Sequence, residues 1–350
     1  MQNFRIALWL VASLVGSACH AQTLNILTWE ALFADEVIAQ WEARSGVSVK
    51  QIYFDQTEVR NTILLSPEVS DIDIVTIDNI STGPIGALDI LVPLEQYKNT
   101  PNFRHFEKDE SQRCAPYATP YLWGTLGILY RTDRVSQPPS SWRDLMHPSP
   151  ELQGHIGWIE NYVDTLAPAL ILREQAVTTD DEALLKEVFD EMKTLLPSIL
   201  TFEPIYSYLA TSPQADELYM ALAFSSDQQV SNLISKSQHW EYVVPEEGSM
   251  IWSECLAVLQ RSTKQNLAMD FLNFMNSPEV AAANSEALLI ASSNAAAGPL
   301  QSEAFRKNPL VAPSAAQRAK LSHYSTDLGV RNILLRDRIT STLVELHESQ

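Results

Sequence analysis

The sequence predicts an α/β protein made of two lobes, each a mainly parallel sheet flanked by helices, with a cleft between the lobes. Three observations predict this fold class. Short apolar strand patterns alternate with helical patterns, the chain has 350 residues of which 45% are hydrophobic, and it contains no low-complexity run. A chain of that length and apolar content is long enough for two cores of ordinary size.

The N-terminus has the features of a secretory signal peptide. Arg5 precedes an uncharged apolar run at residues 6–16, and small residues follow up to Ala21. The run is shorter than the roughly 20 apolar residues that a membrane span needs. We therefore expect residues 1–21 to be removed and the mature protein to be periplasmic. A lipid anchor at Cys19 is the alternative, although a glycine stands where a lipoprotein motif usually has a large aliphatic residue.

The segment after the predicted signal peptide alternates strand and helix patterns. Residues 24–28 form an apolar strand pattern, and residues 31–45 carry apolar side chains at helical spacing before Gly46 ends the helix. Residues 47–54 alternate as a second strand, and residues 71–77 form a continuous apolar run typical of a strand buried on both faces. Strand, helix and strand in succession predict a mainly parallel sheet.

A long apolar strand predicted at residues 120–130 can cross from one lobe to the other. Ser141 is then placed to cap a new helix, and residues 154–159 begin a second α/β series. This series continues with helices at residues 166–174 and 181–196 and strands at residues 218–224 and 240–244. A strand at residues 250–259 returns the chain to the first lobe before a helix at residues 267–275.

The lobe boundaries follow from these two crossings. The predicted first lobe is residues 22–133 with 254–305, and the predicted second lobe is residues 134–253 with 306–350. A cleft crossed by connecting strands is a favoured place for a ligand, because loops at strand ends bring convergent groups around a concavity.

Composition excludes several classes of function. The formal net charge of −19 makes nucleic acid an implausible partner, because phosphate binding needs clustered Lys and Arg. The acidity serves solubility and permits a cationic ligand. The sequence has no nucleophile elbow, no phosphate loop and no metal-ligand spacing, so we expect no enzyme activity, no metal and no cofactor.

Two cysteines remain after the predicted signal peptide. Cys114 and Cys255 are candidates for a disulfide in an oxidising compartment, and two buried free thiols are the alternative. Neither cysteine has the flanking histidine and acid pattern of a nucleophile or zinc site.

Seven short segments, in this order along the chain, resemble the periplasmic spermidine/putrescine-binding proteins of polyamine ABC transporters. They are Leu27-Thr28-Trp29-Glu30, Phe54-Asp55-Gln56-Thr57-Glu58, Asp73-Ile74-Val75, Pro120-Tyr121-Leu122-Trp123-Gly124, Ser141-Trp142-Arg143-Asp144-Leu145, Val244-Pro245-Glu246-Glu247-Gly248 and Trp252-Ser253-Glu254. Each segment is weakly specific alone, and their order over nearly the whole mature chain carries the resemblance. It implies a two-lobed periplasmic solute-binding protein of type II with an interlobe ligand cleft.

The resemblance also implies a set of ligand-binding residues. Positions that match the family's binding residues are Trp29, Asp164, Phe224, Trp252 and Glu254. A polyamine alternates ammonium groups with methylene spacers, so its site needs carboxylates at intervals with aromatic faces between them. Two structural roles that involve no ligand stay open as alternatives: Asp164 caps the next helix, or Glu254 is held by a structural arginine.

The chain also departs from the family's pattern. Asn161 stands in place of an acid and Asp78 in place of a serine, while Leu32, Ile80 and Ile290 replace tyrosines and Ser325 replaces a glutamine. Lost charge is restored in our interpretation by Asp78, Glu160 or Asp227, and lost aromatic cover by Tyr324 or Trp123. A ligand other than spermidine is therefore compatible with the sequence.

Two binding roles follow from the resemblance. In the first, a monomeric protein carries a spermidine-like or putrescine-like cation to an inner-membrane ABC permease. In the second, it resembles the family's norspermidine-sensing offshoot and reports norspermidine or spermidine to a membrane protein that controls cyclic-di-GMP turnover. The altered residues and the run at 73–79 favour the second role, and the sequence leaves the two open.

Overall fold

The computed structural model of the chain describes residues 22–66, 71–96, 100–106, 108–324 and 328–350. The predicted signal peptide, with Cys19, and Ser325 lie outside the described residues. Within the described ranges no helix is long and apolar enough to cross a membrane.

Strands and helices alternate along most of the chain. The strands are β1 (Thr23–Thr28), β2 (Ser48–Tyr53), β3 (Ile74–Asp78), β4 (Ala118–Arg131), β5 (Ile156–Gly157), β6 (Ile199–Thr201), β7 (Met220–Phe224), β8 (Trp240–Val243), β9 (Ser249–Val258), β10 (Ala291–Ser292) and β11 (Leu321–His323). The helices are α1 (Asp35–Ser45), α2 (Thr57–Leu65), α3 (Asn79–Gly86), α4 (Lys108–Cys114), α5 (Arg143–Met146), α6 (Ala167–Leu172), α7 (Glu182–Leu195), α8 (Ile205–Thr211), α9 (Asp227–Ile234), α10 (Gln265–Met275), α11 (Pro278–Leu288), α12 (Glu303–Arg306), α13 (Ala315–Arg318) and α14 (Val330–Glu348).

The sheet has two halves with the same plan. In the first half, β2, β1 and β3 are parallel neighbours and β9 adds to β3 in antiparallel direction. In the second half, β6, β5 and β7 are parallel neighbours and β4 adds to β7 in antiparallel direction. The predicted parallel character therefore holds for the three outer strands of each half, and the chain crossings supply the antiparallel strands.

Strand β4 belongs to both halves. Its residues from Ala118 to Thr125 pair with β9, whereas its residues from Leu126 to Tyr130 pair with β7. The predicted crossing strand is thus present, and its change of partner falls between Thr125 and Leu126. The lobe boundaries given above stay a prediction.

Helices cover the faces of each half with apolar side chains. On α7, Leu185, Val188 and Met192 recur at helical spacing and lie in the core of the second half. The C-terminal helix α14 adds Ile339 and Leu343 to that same core.

The first half has its own core. Val37 and Trp41 of α1 pack there against Phe271 of α10. Trp41 meets the Phe271 ring edge-on at 5.2 Å between centroids.

Two predicted helix starts differ from the structure. The helix expected from residue 31 begins at Asp35, because Ala31 has a positive φ of 58° and the Ala34 N–H is held by Asn284 Oδ1 at 2.9 Å. Ser141 Oγ accepts from the Arg143 N–H at 3.1 Å, but the residue at the N-cap of α5 is Trp142. The predicted serine cap is therefore one position off.

Candidate functional site

The sequence-predicted site residues lie either near the carboxyl end of a parallel strand or on the antiparallel strand β9. Asp78 and Phe224 end β3 and β7, Trp29 follows β1, Asn161 and Asp164 lie in the loop after β5, Asp227 begins α9, and Trp252 and Glu254 lie on β9. The carboxyl ends of parallel strands in α/β sheets are where ligands bind, because the loops there converge around a crevice.

Glu254 is a buried acid held by a tryptophan. Its side chain is part of a residue only 8% exposed, and Oε1 accepts a 3.0 Å hydrogen bond from Trp29 Nε1. The other carboxyl oxygen, Oε2, is buried and has no hydrogen-bond partner within the part of the chain that the structure describes. Burial raises the pKa of Glu254 to about 8, and the charge of Asp78 adds to the rise.

The alternative that a structural arginine holds Glu254 does not apply, because the nearby arginine, Arg60, pairs with Asp78 instead. Arg60 lies close enough to oppose the rise in the pKa of Glu254, but its Nη1 pairs with Asp78 Oδ2 at 2.7 Å. Asp78 faces Glu254 directly in the antiparallel pairing of β3 with β9. Asp78 also caps α3, since its Oδ1 accepts from the Ser81 N–H at 2.8 Å. Asp78, and not Glu254, is therefore the acid that forms an ion pair with this buried cation.

Asp164 is the acid of the second half. It is 6% exposed, and its Oδ1 accepts a hydrogen bond from the Tyr324 hydroxyl. Burial raises the pKa of Asp164 to about 6, and the Tyr324 hydrogen bond opposes that rise. The helix-capping alternative for Asp164 does not hold, because Asn161 Oδ1 accepts from the N–H groups of Val163 at 2.8 Å and Asp164 at 3.1 Å.

Asp227 lies beside the last residue of β7. Its Oδ2 accepts from the Phe224 N–H at 2.8 Å. The residue is half-buried, and removal from water raises its pKa to about 6, opposed by that backbone hydrogen bond. Asp227 therefore fixes the strand end that carries Phe224, and none of the described ion pairs joins its carboxyl to Lys or Arg.

Aromatic rings accompany these acids. The Phe224 and Trp252 rings meet edge to face with centroids 6.3 Å apart, and the Trp29 ring packs on Phe54 at 4.4 Å. Gly124 lies opposite Trp252 in the β4–β9 pairing. A Cβ at Gly124 would come within 2.5 Å of Trp252 Cζ2, so the absence of a side chain there is what admits the indole.

Side chains from both halves act on one another electrostatically. Burial raises the pKa of Tyr162 to about 12, and the charges of Asp78 and Asp164, one from each half, add to the effect. Burial likewise raises the pKa of Tyr206 to about 12, with contributions from Asp55 and Asp227. Tyr162 and Tyr206 therefore each lie within electrostatic range of acids from both halves.

Several of these residues were missed by sequence reasoning. Tyr162 and Tyr206 carry no local signal, since lone tyrosines in loops and short helices are common. Arg60 did have a signal: it lies four residues before Leu64, and together they form the buried face of α2. An arginine one helical turn before a buried leucine lies on the same helix face, so its charge needs an acid partner inside the protein.

Other predicted residues lie elsewhere. Trp123 pairs with Ser253, so it points to the sheet face opposite Trp252 and Glu254, with Arg318 5.9 Å from its ring. The hypothesis that Trp123 restores aromatic cover is therefore wrong. Glu160 is exposed, whereas Leu32 and Ile290 are buried in the core of the first half.

The two cysteines form a disulfide. Cys114 at the end of α4 is bonded to Cys255 of β9, with their Cα atoms 6.0 Å apart. Cys255 immediately follows Glu254, so the bridge ties the acid-bearing strand to α4.

The arrangement is suited to holding cations. Glu254, Asp164 and Asp227 have raised pKa values and, among the described ion pairs, none joins them to Lys or Arg. A bound cation would supply the missing opposite charge, and the indole and phenyl faces would cover aliphatic carbons. Within the described residues there is no cluster of side chains that could hold a metal ion.

Known proteins match this sequence over most of its length. Residues 36–313 match the family described as bacterial extracellular solute-binding protein. The chain is 30% identical over 342 residues to the norspermidine sensor of Vibrio cholerae, which spans 97% of this chain and 94% of that protein. It is 26% identical over 333 residues to the putrescine-binding periplasmic protein PotF of Escherichia coli, covering 89% of each.

Solved structures share the fold. A putative spermidine/putrescine ABC transporter from Listeria monocytogenes superposes with a TM-score of 0.80 at 24% identity, covering 93% of this chain and 99% of that one. The substrate-binding protein PotD from Streptococcus pneumoniae gives a TM-score of 0.76 at 23% identity, covering 93% of this chain and 100% of that one. The likeness to these two structures concerns the architecture.

Proposed function

The chain belongs to the family of bacterial extracellular solute-binding proteins, and on that premise we propose that it captures a linear aliphatic polyamine between its two halves. The predicted two-lobed type II fold is confirmed by its structural relatives. The observation that carries the proposal is a group of acids that no described ion pair joins to Lys or Arg. They are Glu254, Asp164 and Asp227, and they accompany the rings of Trp29, Trp252 and Phe224.

The chemistry of a polyamine fits this group. Each ammonium makes charge-assisted hydrogen bonds to a carboxylate, and the methylene spacers lie on aromatic faces. Each cation–aromatic contact contributes roughly 0.5 to 2 kcal/mol. Glu254 Oε2, buried and unpartnered, is the first acceptor that an incoming ammonium would satisfy.

The proposal includes a binding role without chemical conversion of the ligand. The relatives named above are binding proteins, and their names place them in the periplasm or in transport and sensing. We assign the mature protein to the periplasm, with cleavage near Ala21, and treat it as a monomer. Residues 22–133 with 254–305 and residues 134–253 with 306–350 are the lobes that close on the ligand.

Delivery to a membrane permease is the first role we propose. The closed, loaded form would dock on an inner-membrane ABC permease, as the names of the transport relatives suggest. Cells lacking the protein should then take up radiolabelled spermidine more slowly, and the wild-type gene should restore uptake.

Sensing is the second role, and one observation favours it. The identity of 30% to the norspermidine sensor covers 97% of the chain, compared with 26% to PotF over 89%. In that role the loaded protein would bind a membrane receptor rather than a permease. Cross-linking in membranes with and without norspermidine, followed by identification of the captured protein, separates the two roles.

The binding proposal itself is tested by thermal shift and calorimetry. Putrescine, norspermidine, spermidine and spermine are compared with 1,8-octanediol, which has methylenes but no charge. A bound amine at 100 times its Kd should stabilise the protein by about 2.7 kcal/mol. If no amine raises the melting temperature while the protein is folded by circular dichroism, the polyamine proposal is wrong.

A further inference from the structure

Arg60 is a fully buried cation inside the first half of the molecule. Its Nη1 lies 2.7 Å from Asp78 Oδ2, and its Nη2 donates to Ser81 Oγ at 2.9 Å. A second set of bonds, from Nε at 3.2 Å and Nη2 at 3.1 Å, goes to Asn61 Oδ1. The guanidinium is therefore fixed in place by polar partners on several sides, as a buried charge requires.

The Arg60–Asp78 pair is adjacent to Glu254. Asp78 and Glu254 are direct partners across β3 and β9, and side chains so paired lie on the same sheet face about 5 Å apart at Cβ. Arg60 also lies over the Phe54 ring at 5.9 Å, and Phe54 packs on Trp29, whose indole binds Glu254. The ion pair thus adjoins the region that carries the acceptor of the ligand.

The pair changes the charge that the region presents to a guest. The carboxyls in question are those of Asp78, Glu254, Asp164 and Asp227, and Arg60 forms an ion pair with one of them, Asp78. Glu30, Asp55 and Glu58 are exposed, so water and salt screen their charges. Three carboxyls are left without a cationic partner among the described ion pairs.

We propose that Arg60 is an internal counter-ion that sets the ligand charge at three, so that the protein selects triamines over diamines and tetraamines. This inference rests on the proposed polyamine function. A diamine would leave one of the three carboxyls unpaired. A tetraamine would bring a surplus ammonium towards Asp78, which is already paired, and towards the guanidinium of Arg60, whose like charge repels it.

Removing Arg60 and removing Asp78 should shift the relative affinities for the amines in opposite directions. Arg60→Met frees the Asp78 carboxylate, so the ratio of spermidine to spermine affinity should fall about tenfold. Asp78→Asn leaves Arg60 unpaired beside Glu254, so all amines should bind more weakly and putrescine should lose least. The double variant restores the charge count and should return the spermidine-to-spermine ratio to within about threefold of wild type.

Calorimetric dissociation constants for putrescine, norspermidine, spermidine and spermine provide the readout. Spermine is also longer than spermidine, so the decisive quantity is the change in the ratio between variants, which cancels the effect of length. Misfolded protein lowers the binding stoichiometry but leaves the ratio of constants unchanged. Arg331→Met is the matched control, since Arg331 is 87% exposed and pairs with Glu182 on the surface.

The outcomes separate this inference from the function it rests on. If wild-type protein binds no amine, the polyamine function fails. If it binds amines but Arg60→Met and Asp78→Asn leave the spermidine-to-spermine ratio within twofold of wild type, Arg60 does not set selectivity. Should Arg60→Met not fold, Asp78→Asn and Arg60→Lys decide, because the first should shift the ratios and the second should preserve them.

Discussion

The indole nitrogen of Trp29 lies 3.0 Å from Oε1 of Glu254, which joins the end of the first strand to a residue 225 positions later. Each member of this pair fixes the other, because the N–H needs an acceptor and the buried carboxyl needs a donor. The bond occupies one carboxyl oxygen, and Oε2 has no hydrogen-bond partner among the described residues.

Glu254→Gln should lower polyamine affinity at least tenfold while leaving the fold intact. The amide keeps an oxygen acceptor for Trp29 but loses the negative charge that faces an ammonium. Calorimetry on the purified variant measures the loss. Glu303→Gln is the control, since Glu303 is 73% exposed and pairs with Lys307 on the surface. An unchanged dissociation constant for Glu254→Gln would remove this acid from the site.

Stability of the ligand-free protein should depend on the ionisation of Glu254. Its pKa rises from 4.5 to about 8 on folding, so its favourable contribution is complete below about pH 4.5 and is lost as pH rises through about 8. The loss is at most about 5 kcal/mol. Urea unfolding of wild type and Glu254→Gln from pH 5 to 9 should show the variant gaining relative stability with pH. A constant difference would mean that Glu254 is not shifted.

Tyr324→Phe should weaken amine binding about three- to tenfold at pH 6 and less at pH 8. The Tyr324 hydroxyl donates to Asp164 and favours its charged form, so its loss raises the pKa of Asp164 above about 6. Calorimetry at the two pH values makes the comparison. Tyr130→Phe, which removes a 2.8 Å bond to Glu241, is the control and should have no effect. Equal weakening at both pH values would contradict the ionisation argument.

Gly124→Ala should reduce affinity about tenfold by displacing an aromatic ring. The new Cβ would lie 2.5 Å from both Trp252 Cζ2 and Ser225 Oγ, so the indole must move. Tryptophan fluorescence and calorimetry report the displacement and its effect. Gly298→Ala is the control, because nothing lies within 4 Å of its added Cβ. Wild-type affinity in Gly124→Ala would show that the position of the Trp252 ring does not matter.

Loss of the Cys114–Cys255 disulfide should lower the free energy of unfolding by about 2 to 5 kcal/mol. The bridge closes a loop between residues 141 positions apart and so restricts the unfolded chain. Urea unfolding with and without reductant measures the effect on wild type. The Cys114→Ala, Cys255→Ala double variant should be insensitive to reductant. A wild-type protein that is equally insensitive would show that the disulfide adds nothing.

Much of the fold was predictable because strand and helix periods are local. The strands at β1, β2, β4 and β9 and the end of α1 at Gly46, whose φ is 70°, follow directly from apolar patterns and a glycine. The disulfide remained one of two alternatives, since spacing alone does not bring two cysteines together. Structural proximity decided it.

The sequence allows candidate site residues to be named, but it does not predict the bonds among them. Asp78 was expected to add free charge, and it is instead paired with Arg60. Asp164 was open to a capping role, but its own N–H and that of Val163 are held by Asn161 Oδ1. Such assignments depend on contacts between distant parts of the chain, for which local sequence carries no period or spacing.

Strand β4 has a mechanical consequence. Because its first eight residues are paired in one half of the sheet and the next five in the other, turning one half relative to the other must twist the backbone near Thr125 and Leu126. A strand that is paired on both sides of this point opposes that twist elastically. The angle between the halves, and the energy needed to change it, therefore depend partly on a few peptide units of β4 rather than on a flexible linker.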